Sequence, residues 1–166
     1  MAPRIEFIER PYAWFLRAAD ACQSPLLLAV RLYWGWQFWQ AGWGKAMNIP
    51  HVVEYFTSLG VPAPTLNAYF IAWLEVVGGI LLALGLFSRL IAFPLTIDMI
   101  VAYIVGDREA LGAIFSEPDK FYAATPYTFL FASLLILFFG PGKFSLDTLI
   151  VWYRKRCAAK SDAAAN

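Results

Sequence analysis

Four long apolar runs divide the chain. They extend over residues 25–43, 66–86, 90–105 and 121–139, and polar or Gly/Pro-containing segments separate them. A helix rises about 1.5 Å per residue, so runs of roughly 17 to 25 residues can cross a hydrocarbon core of about 30 Å. Backbone groups in lipid must be satisfied internally, and the runs lack the alternation of barrel strands. The pattern predicts an all-α protein with a bundle of four transmembrane helices.

Three shorter segments place apolar residues at helical spacing beside polar ones. One precedes the first run, one starts at Pro50 and ends at Gly60, and one follows GPGK near the C-terminus, where Ser145 can cap a helix. We expect the two terminal segments to lie in the membrane interface and the middle one to cap one mouth of the bundle. The predicted organisation is an interfacial segment over 1–24, a transmembrane domain over 25–142 and a basic amphipathic segment over 143–166.

Composition agrees with a membrane protein. Of the 166 residues, 60% are hydrophobic and only 15% are charged, which leaves too little polar surface to cover a soluble globule. The net charge of +1 gives no reason to expect nucleic-acid binding.

The distribution of basic residues predicts the orientation. With both termini on one side, the other side carries three basic residues, Lys45, Arg108 and Lys120. The terminal side carries nine: Arg4, Arg10, Arg17, Arg89, Lys143, Arg154, Lys155, Arg156 and Lys160. The positive-inside rule therefore predicts a multi-pass protein with both termini in the cytoplasm.

Three ionisable residues, Arg31, Glu75 and Asp98, interrupt the apolar runs. A charge at membrane depth costs at least about 2.5 to 3.5 kcal/mol, so such groups usually face the protein interior. Counted from the centre of each run, all three lie within roughly 5 Å of the midplane, which predicts that they meet. One arginine faces two acids, so either one acid is protonated or another donor or a ligand completes the site. A structural lock of helix register and a proton-handling or ligand-binding cluster are the two interpretations.

Small residues follow these charges at helical spacing. The first helix has Arg31, Gly35, Phe38, Gly42 and Lys45 along one face, and the second has Ala68, Ala72, Glu75, Gly79 and Ala83. Small residues let two membrane helices approach closely. The spacing predicts that these two faces pack together and that Glu75 points into the bundle.

Several aromatic residues of the first run lie deeper than an interfacial belt would explain. They are either lipid-facing and interhelical filler or the walls of a flat pocket for an aromatic head such as a quinone. The candidate cofactor-binding residues are Trp34, Trp36, Phe38 and Lys45. The only histidine, His51, is interpreted as an ordinary polar residue rather than a metal ligand, so no metal site is predicted.

The order and spacing of these motifs resemble the DoxX family. The resemblance rests on the spacing from Arg31 to Lys45, on FTSLGVPAP, on EVVGGILLALGLFSRL starting at Glu75, and on GPGKFSLD ending at Asp147. It implies a four-helix protein of the bacterial inner membrane. Relatives are described as small membrane subunits of thiosulfate:quinone oxidoreductases and as partners in thiol-stress and metal-stress systems. The positions that match the family pattern are Arg31, Gly35, Gly42, Lys45, Glu75, Gly79, Arg89 and Asp147.

Two functions are compatible with these observations. The first is a membrane subunit of a redox or stress system that holds a quinone-like molecule, with Arg31, Glu75 and Asp98 as the candidate catalytic residues and a membrane or periplasmic redox protein as partner. If the chain is an enzyme, it is an accessory, quinone-linked oxidoreductase subunit. The second is a non-catalytic scaffold that recruits a partner through its outer loops. The sequence leaves open the substrate, the redox partner and whether the protein forms a homo-oligomer.

Overall fold

The computed structural model describes residues 3–165, and the side chains over 12–157. Within these residues all regular secondary structure is helical. The helices are α1 (Pro3–Met47), α2 (Ile49–Ser58), α3 (Pro64–Leu84), α4 (Ser88–Val105), α5 (Arg108–Gly112), α6 (Pro118–Ala123), α7 (Thr125–Phe139) and α8 (Leu146–Ala165).

Four of these helices, α1, α3, α4 and α7, form a bundle in which each packs against two others. The pairs are α1 with α3, α3 with α4, α4 with α7, and α7 with α1. The buried core between them consists of Phe38, Leu82, Ala92, Leu95, Met99 and Ile136. We refer below to the end of the bundle near α2 as the α2 end, and to the opposite end as the α8 end.

The backbones of α1 and α3 touch through glycines. A Cβ atom added at Gly35 would lie 2.7 Å from the carbonyl oxygen of Gly79, and one at Gly42 would lie 2.6 Å from the amide nitrogen of Val76. The two helices are antiparallel, because the later residue of α1 faces the earlier residue of α3. The predicted packing of these two faces is confirmed, since close backbone approach requires small residues.

The prediction of four membrane spans is confirmed only in part. Helices α3 and α4, with 21 and 18 residues, are long and apolar enough to cross a membrane, whereas α7 is apolar but has only 15 residues. The fourth predicted run is divided at Ala124, whose extended backbone (ψ 135°) separates α6 from α7. The division lies just before Pro126, which has no N–H to donate to the carbonyl oxygen of Tyr122 in the preceding turn and is tolerated in the first turn of a new helix.

The segment before the first run is not a separate helix. Helix α1 continues for 45 residues, about 67 Å at 1.5 Å per residue, and passes through Pro25 without a break. The helix after Pro50 is confirmed as α2, and Ser145 caps α8 as expected, because its Oγ accepts a hydrogen bond from the Thr148 amide at 3.2 Å.

Candidate functional site

Three ionisable side chains meet at the α2 end of the bundle. Lys45 Nζ, from the last turn of α1, donates a hydrogen bond to Glu75 Oε2 on α3. Asp98, on α4, lies next to Glu75, and both line the same cavity. Only 2% of Glu75 and 8% of Asp98 are exposed. We call these residues the Lys45–Glu75–Asp98 cluster.

The helix contacts explain why these three residues converge. Gly42 lies against the backbone of α3 beside Glu75, which brings the next turn of α1, with Lys45, to the carboxylate. Gly78, one turn after Glu75, packs against the side chain of Leu95, one turn before Asp98. The register of both helix pairs therefore places the carboxylates opposite each other.

The cluster lines a cavity of about 480 Å³. Its walls are largely apolar and include Tyr55 and Phe56 of α2, Met99 of α4 and Phe129 of α7. The volume falls in the range of roughly 300 to 1,000 Å³ that is typical of small-molecule sites. An apolar cavity with a few convergent polar groups can hold a molecule with an apolar body and a polar head.

The charges of the cluster can balance without a further residue. Two neighbouring carboxyl groups can share one proton, because a protonated carboxyl donates a hydrogen bond and an ionised carboxylate accepts one. If Glu75 and Asp98 share a proton, the pair carries one negative charge, which the Lys45 ammonium neutralises. The cluster can therefore hold a proton inside the bundle at a polar site next to the cavity.

The predicted meeting of Arg31 with the two carboxylates is wrong. Arg31 is fully buried, but its Nη2 donates to the carbonyl oxygen of Phe144, and Nη1 lies against Gly85. It precedes Lys45 by 14 residues, about 21 Å along the helix. The prediction assumed that the centres of the apolar runs lie at the same depth. The glycine contacts between α1 and α3 instead set a register in which Arg31 lies beside the end of α3.

Arg31 belongs to a second polar group at the α8 end. The Asp147 carboxylate accepts hydrogen bonds from the amides of Phe87 (2.8 Å) and Ser88 (3.0 Å) and so caps the start of α4. The Asp147 amide donates to the carbonyl oxygen of Gly85 at 3.0 Å. We call Arg31, Gly85 and Asp147 the α8-end lock, since they join α1, the α3–α4 turn and the first turn of α8.

The three predicted aromatic pocket residues do not line the cavity. Trp36 is 53% exposed, Phe38 is fully buried in the core, and Trp34 packs edge-on against Phe129 with ring centroids 5.0 Å apart. Lys45 is the one predicted cofactor-binding residue that does line it. Trp34 and Phe38 both pack against Phe129, which is a residue of the cavity wall.

Several lining residues were missed as site residues by the sequence reasoning. The apolar positions of the segment after Pro50 predicted a helix over the bundle mouth, and Tyr55, Phe56 and Leu59 of that helix indeed line the cavity. For Phe129 the sequence had no distinguishing pattern, because an aromatic residue within an apolar run looks the same whether it faces lipid, core or cavity.

Comparison with known proteins identifies the family. The DoxX family model matches residues 26–108, and an uncharacterized membrane protein of Mycobacterium tuberculosis is 32% identical over 87% of this chain and 93% of its own length. The chain belongs to the DoxX family. No solved structure matches this DoxX protein.

Two further relatives match most of the chain, and the name of one of them places it in a membrane. The inner membrane protein YphA of Escherichia coli is 30% identical to this DoxX protein over 76% of the chain and 91% of its own length. CatD of Bacillus subtilis, which is named as a candidate oxidoreductase, is 27% identical over 74% of the chain and 85% of its own length. This DoxX protein is therefore a membrane protein, which agrees with the exposed apolar faces of α3 and α4.

Proposed function

We propose that this protein is the membrane subunit of a redox system and that its cavity binds a small molecule with a flat apolar body and a polar head, such as a quinone. The observation that carries the proposal is the apolar cavity beside the Lys45–Glu75–Asp98 cluster. The provisional name of CatD favours redox chemistry over other uses of such a cavity. A partner protein in or beside the membrane supplies or accepts the electrons.

In this proposal each side chain of the Lys45–Glu75–Asp98 cluster has its own role. The Glu75–Asp98 pair exchanges a proton with an oxygen of the head group, which is acid–base chemistry by positioned carboxyl groups. Lys45 holds Glu75 in place and neutralises the negative charge of the pair. Lys45 thus takes the place that the sequence gave to Arg31.

The proposal includes a membrane orientation. All four bundle helices cross the inner membrane, and α6 and the preceding loop extend the short α7 at the α2 end. The nine-to-three distribution of basic residues places both termini and the α8 end in the cytoplasm. The cavity then lies toward the outer side of the bilayer.

The test is stabilisation of the purified protein by a short-chain quinone. A ligand that binds the folded state at 100 times its Kd stabilises it by about 2.7 kcal/mol, so we expect a clear rise in Tm in detergent. In Lys45→Met the rise is lost, because Glu75 loses the counter-charge that holds it in place. Lys120→Met, which removes a 61%-exposed lysine side chain, is the matched control and keeps the rise.

A scaffold is the second candidate function. Phe115, in the loop between α5 and α6, is 95% exposed and is therefore accessible to a partner. Absence of any quinone effect on Tm, together with purified protein that contains no quinone, would contradict the first proposal and favour this one.

A further inference from the structure

Helix α8 leaves the bundle with a row of apolar side chains uncovered. It is attached through its first turn, where the amide and the carboxylate of Asp147 bond to the α3–α4 turn and the start of α4. The apolar side chains that follow are 45% to 65% exposed: Leu149, Ile150, Val151, Trp152 and Tyr153. Contiguous exposed apolar side chains of this kind mark an interaction surface.

One face of α8 is apolar, and basic residues border it. At about 100° per residue, four apolar side chains fall within roughly 100° of one another, and we call them the α8 apolar face: Leu146, Leu149, Ile150 and Tyr153. Arg154 and Arg156 lie about 80° to either side of Leu146, and Lys155 lies opposite it. An apolar face with cations on the remaining surface is typical of a helix that lies in the plane of a membrane surface.

The packing of Arg156 fits such a position. Its guanidinium carbon lies 4.2 Å from the centroid of the Trp152 ring, in a cation–π contact. Tryptophan favours the depth of the lipid headgroups, and arginine can bury its aliphatic stem while its charge stays in the headgroup layer. The pair therefore holds a positive charge at the edge of the α8 apolar face.

The charges around α8 favour an anionic surface. Five exposed basic side chains belong to this end of the bundle: Arg89, Lys143, Arg154, Lys155 and Arg156. The carboxylate of Asp147 is occupied by the amides at the start of α4. Acidic phospholipids attract basic segments beside a membrane span, by roughly fivefold in affinity for each basic residue. Because the bundle is embedded in a bilayer, the lipid surface is an anionic partner within direct reach of α8.

We infer that α8 docks on the lipid surface at the α8 end and binds anionic phospholipids there. The α8 apolar face contacts the acyl chains, and Arg154 and Arg156 contact the phosphates. The inference goes beyond the proposed function, since it uses no residue of the cavity. It adds a lipid class to the interfacial position that the sequence predicts for this segment.

The experiment measures which face of α8 touches lipid. The full-length protein, in a Cys22→Ser, Cys157→Ser background, carries a nitrobenzoxadiazole dye at Ile150→Cys, on the α8 apolar face, or at Val151→Cys, turned by about 100°. Each is reconstituted into nanodiscs of phosphatidylcholine alone or of phosphatidylcholine and phosphatidylglycerol in equal parts. Lipids with a doxyl group near the headgroup quench a dye at the membrane surface.

We expect the dye at position 150 to be quenched several-fold more strongly than the dye at position 151 in the nanodiscs with phosphatidylglycerol. The quenching at position 150 should fall in phosphatidylcholine alone, because the attraction between the arginines and the headgroups is then lost.

Two double variants locate the effect. Arg154→Gln with Arg156→Gln removes the charges that border the α8 apolar face and should lower the ratio of docked to free α8 by roughly 25-fold, at about fivefold per residue. Arg108→Gln with Lys120→Gln removes two positive charges at the α2 end and keeps the quenching. All four side chains are exposed, so the fold should persist in both variants.

Several outcomes would overturn the inference. Equal quenching at position 150 in both lipid compositions would show that α8 does not select anionic lipid. Equal quenching at positions 150 and 151 would mean that the α8 apolar face does not decide the contact. A blue-shifted dye at position 150 without quenching would mean that protein, such as a second copy, covers this face. None of these results bears on the cavity, which quinone stabilisation tests separately.

Discussion

At the scale of single residues, glycine positions decide which charges meet. Gly85 has a left-handed backbone (φ 70°) at the end of α3, where Leu86 donates to the carbonyl oxygen of Leu81 at 3.0 Å. Its missing side chain also leaves room for the Arg31 guanidinium, since a Cβ there would lie 1.8 Å from Nη1. Gly85 therefore serves both the turn and the α8-end lock.

We predict that Gly85→Ala destabilises the protein much more than Gly60→Ala. Both glycines have a left-handed backbone, but a Cβ at Gly60 meets nothing within 4 Å. Gly60→Ala should lose only the conformational term, roughly 1 to 2 kcal/mol. Gly85→Ala should lose about 1 to 3 kcal/mol more through overlap with Arg31. Thermal unfolding in detergent measures both, and equal losses would show that Arg31 is not packed against this glycine.

Residue spacing predicted which faces are buried but not which charges are partners. The seam from Arg31 to Lys45 and the burial of Glu75 follow from helical periodicity and are confirmed. The partner of Glu75 depends on the register between two helices, which the contact of Gly42 with Ala72 and Val76 decides. The centre of an apolar run does not predict the register between two helices here, because α1 is much longer than the helix it packs against and extends beyond the bundle.

At the scale of helices, the contact between α1 and α3 controls the geometry of the site. We predict that Gly42→Ala lowers stability by about 1 to 3 kcal/mol, because its methyl group would lie 2.6 to 2.7 Å from backbone atoms of α3 and from Glu75 Cβ. It should also weaken the proposed binding of quinone, since the added methyl group would move α3, with Glu75, away from Lys45.

Gly44→Ala is the control two residues later in the same helix. A Cβ at Gly44 meets nothing within 4 Å, so alanine should raise stability by roughly 0.5 to 1 kcal/mol through its better helix propensity. Thermal unfolding and ligand titration compare the two variants. A Gly42→Ala protein as stable as the natural one would contradict the close packing.

The elements themselves were predictable to different degrees. Helices α3 and α4 follow from their long apolar runs, and α2 follows from its amphipathic spacing after Pro50. The break at Ala124 was missed because hydropathy alone does not register backbone geometry ahead of Pro126. The continuity of α1 was missed because the polar residues before Pro25 predicted a separate interfacial segment, whereas α1 passes through Pro25 without a break.

At the scale of the whole molecule, the proposed orientation makes a labelling prediction. Cys22 and Cys157 are both exposed and belong to segments at the α8 end. A membrane-impermeant maleimide should therefore leave both unlabelled in spheroplasts and label them after permeabilisation. Ser116→Cys, in a Cys22→Ser, Cys157→Ser background, should be labelled without permeabilisation, because the proposed orientation puts the α5–α6 loop outside. The reverse pattern would mean that the protein is inserted the other way round.

The glycine contacts between α1 and α3 also limit how the protein can adapt to a guest molecule. Two backbones that touch directly have no side chains between them that could change rotamer, so neither helix can slide or tilt without separating from the other. Lys45 and Glu75 are therefore carried on one stiff unit. Any widening of the cavity for a bulkier occupant has to come from α2, α4 or α7.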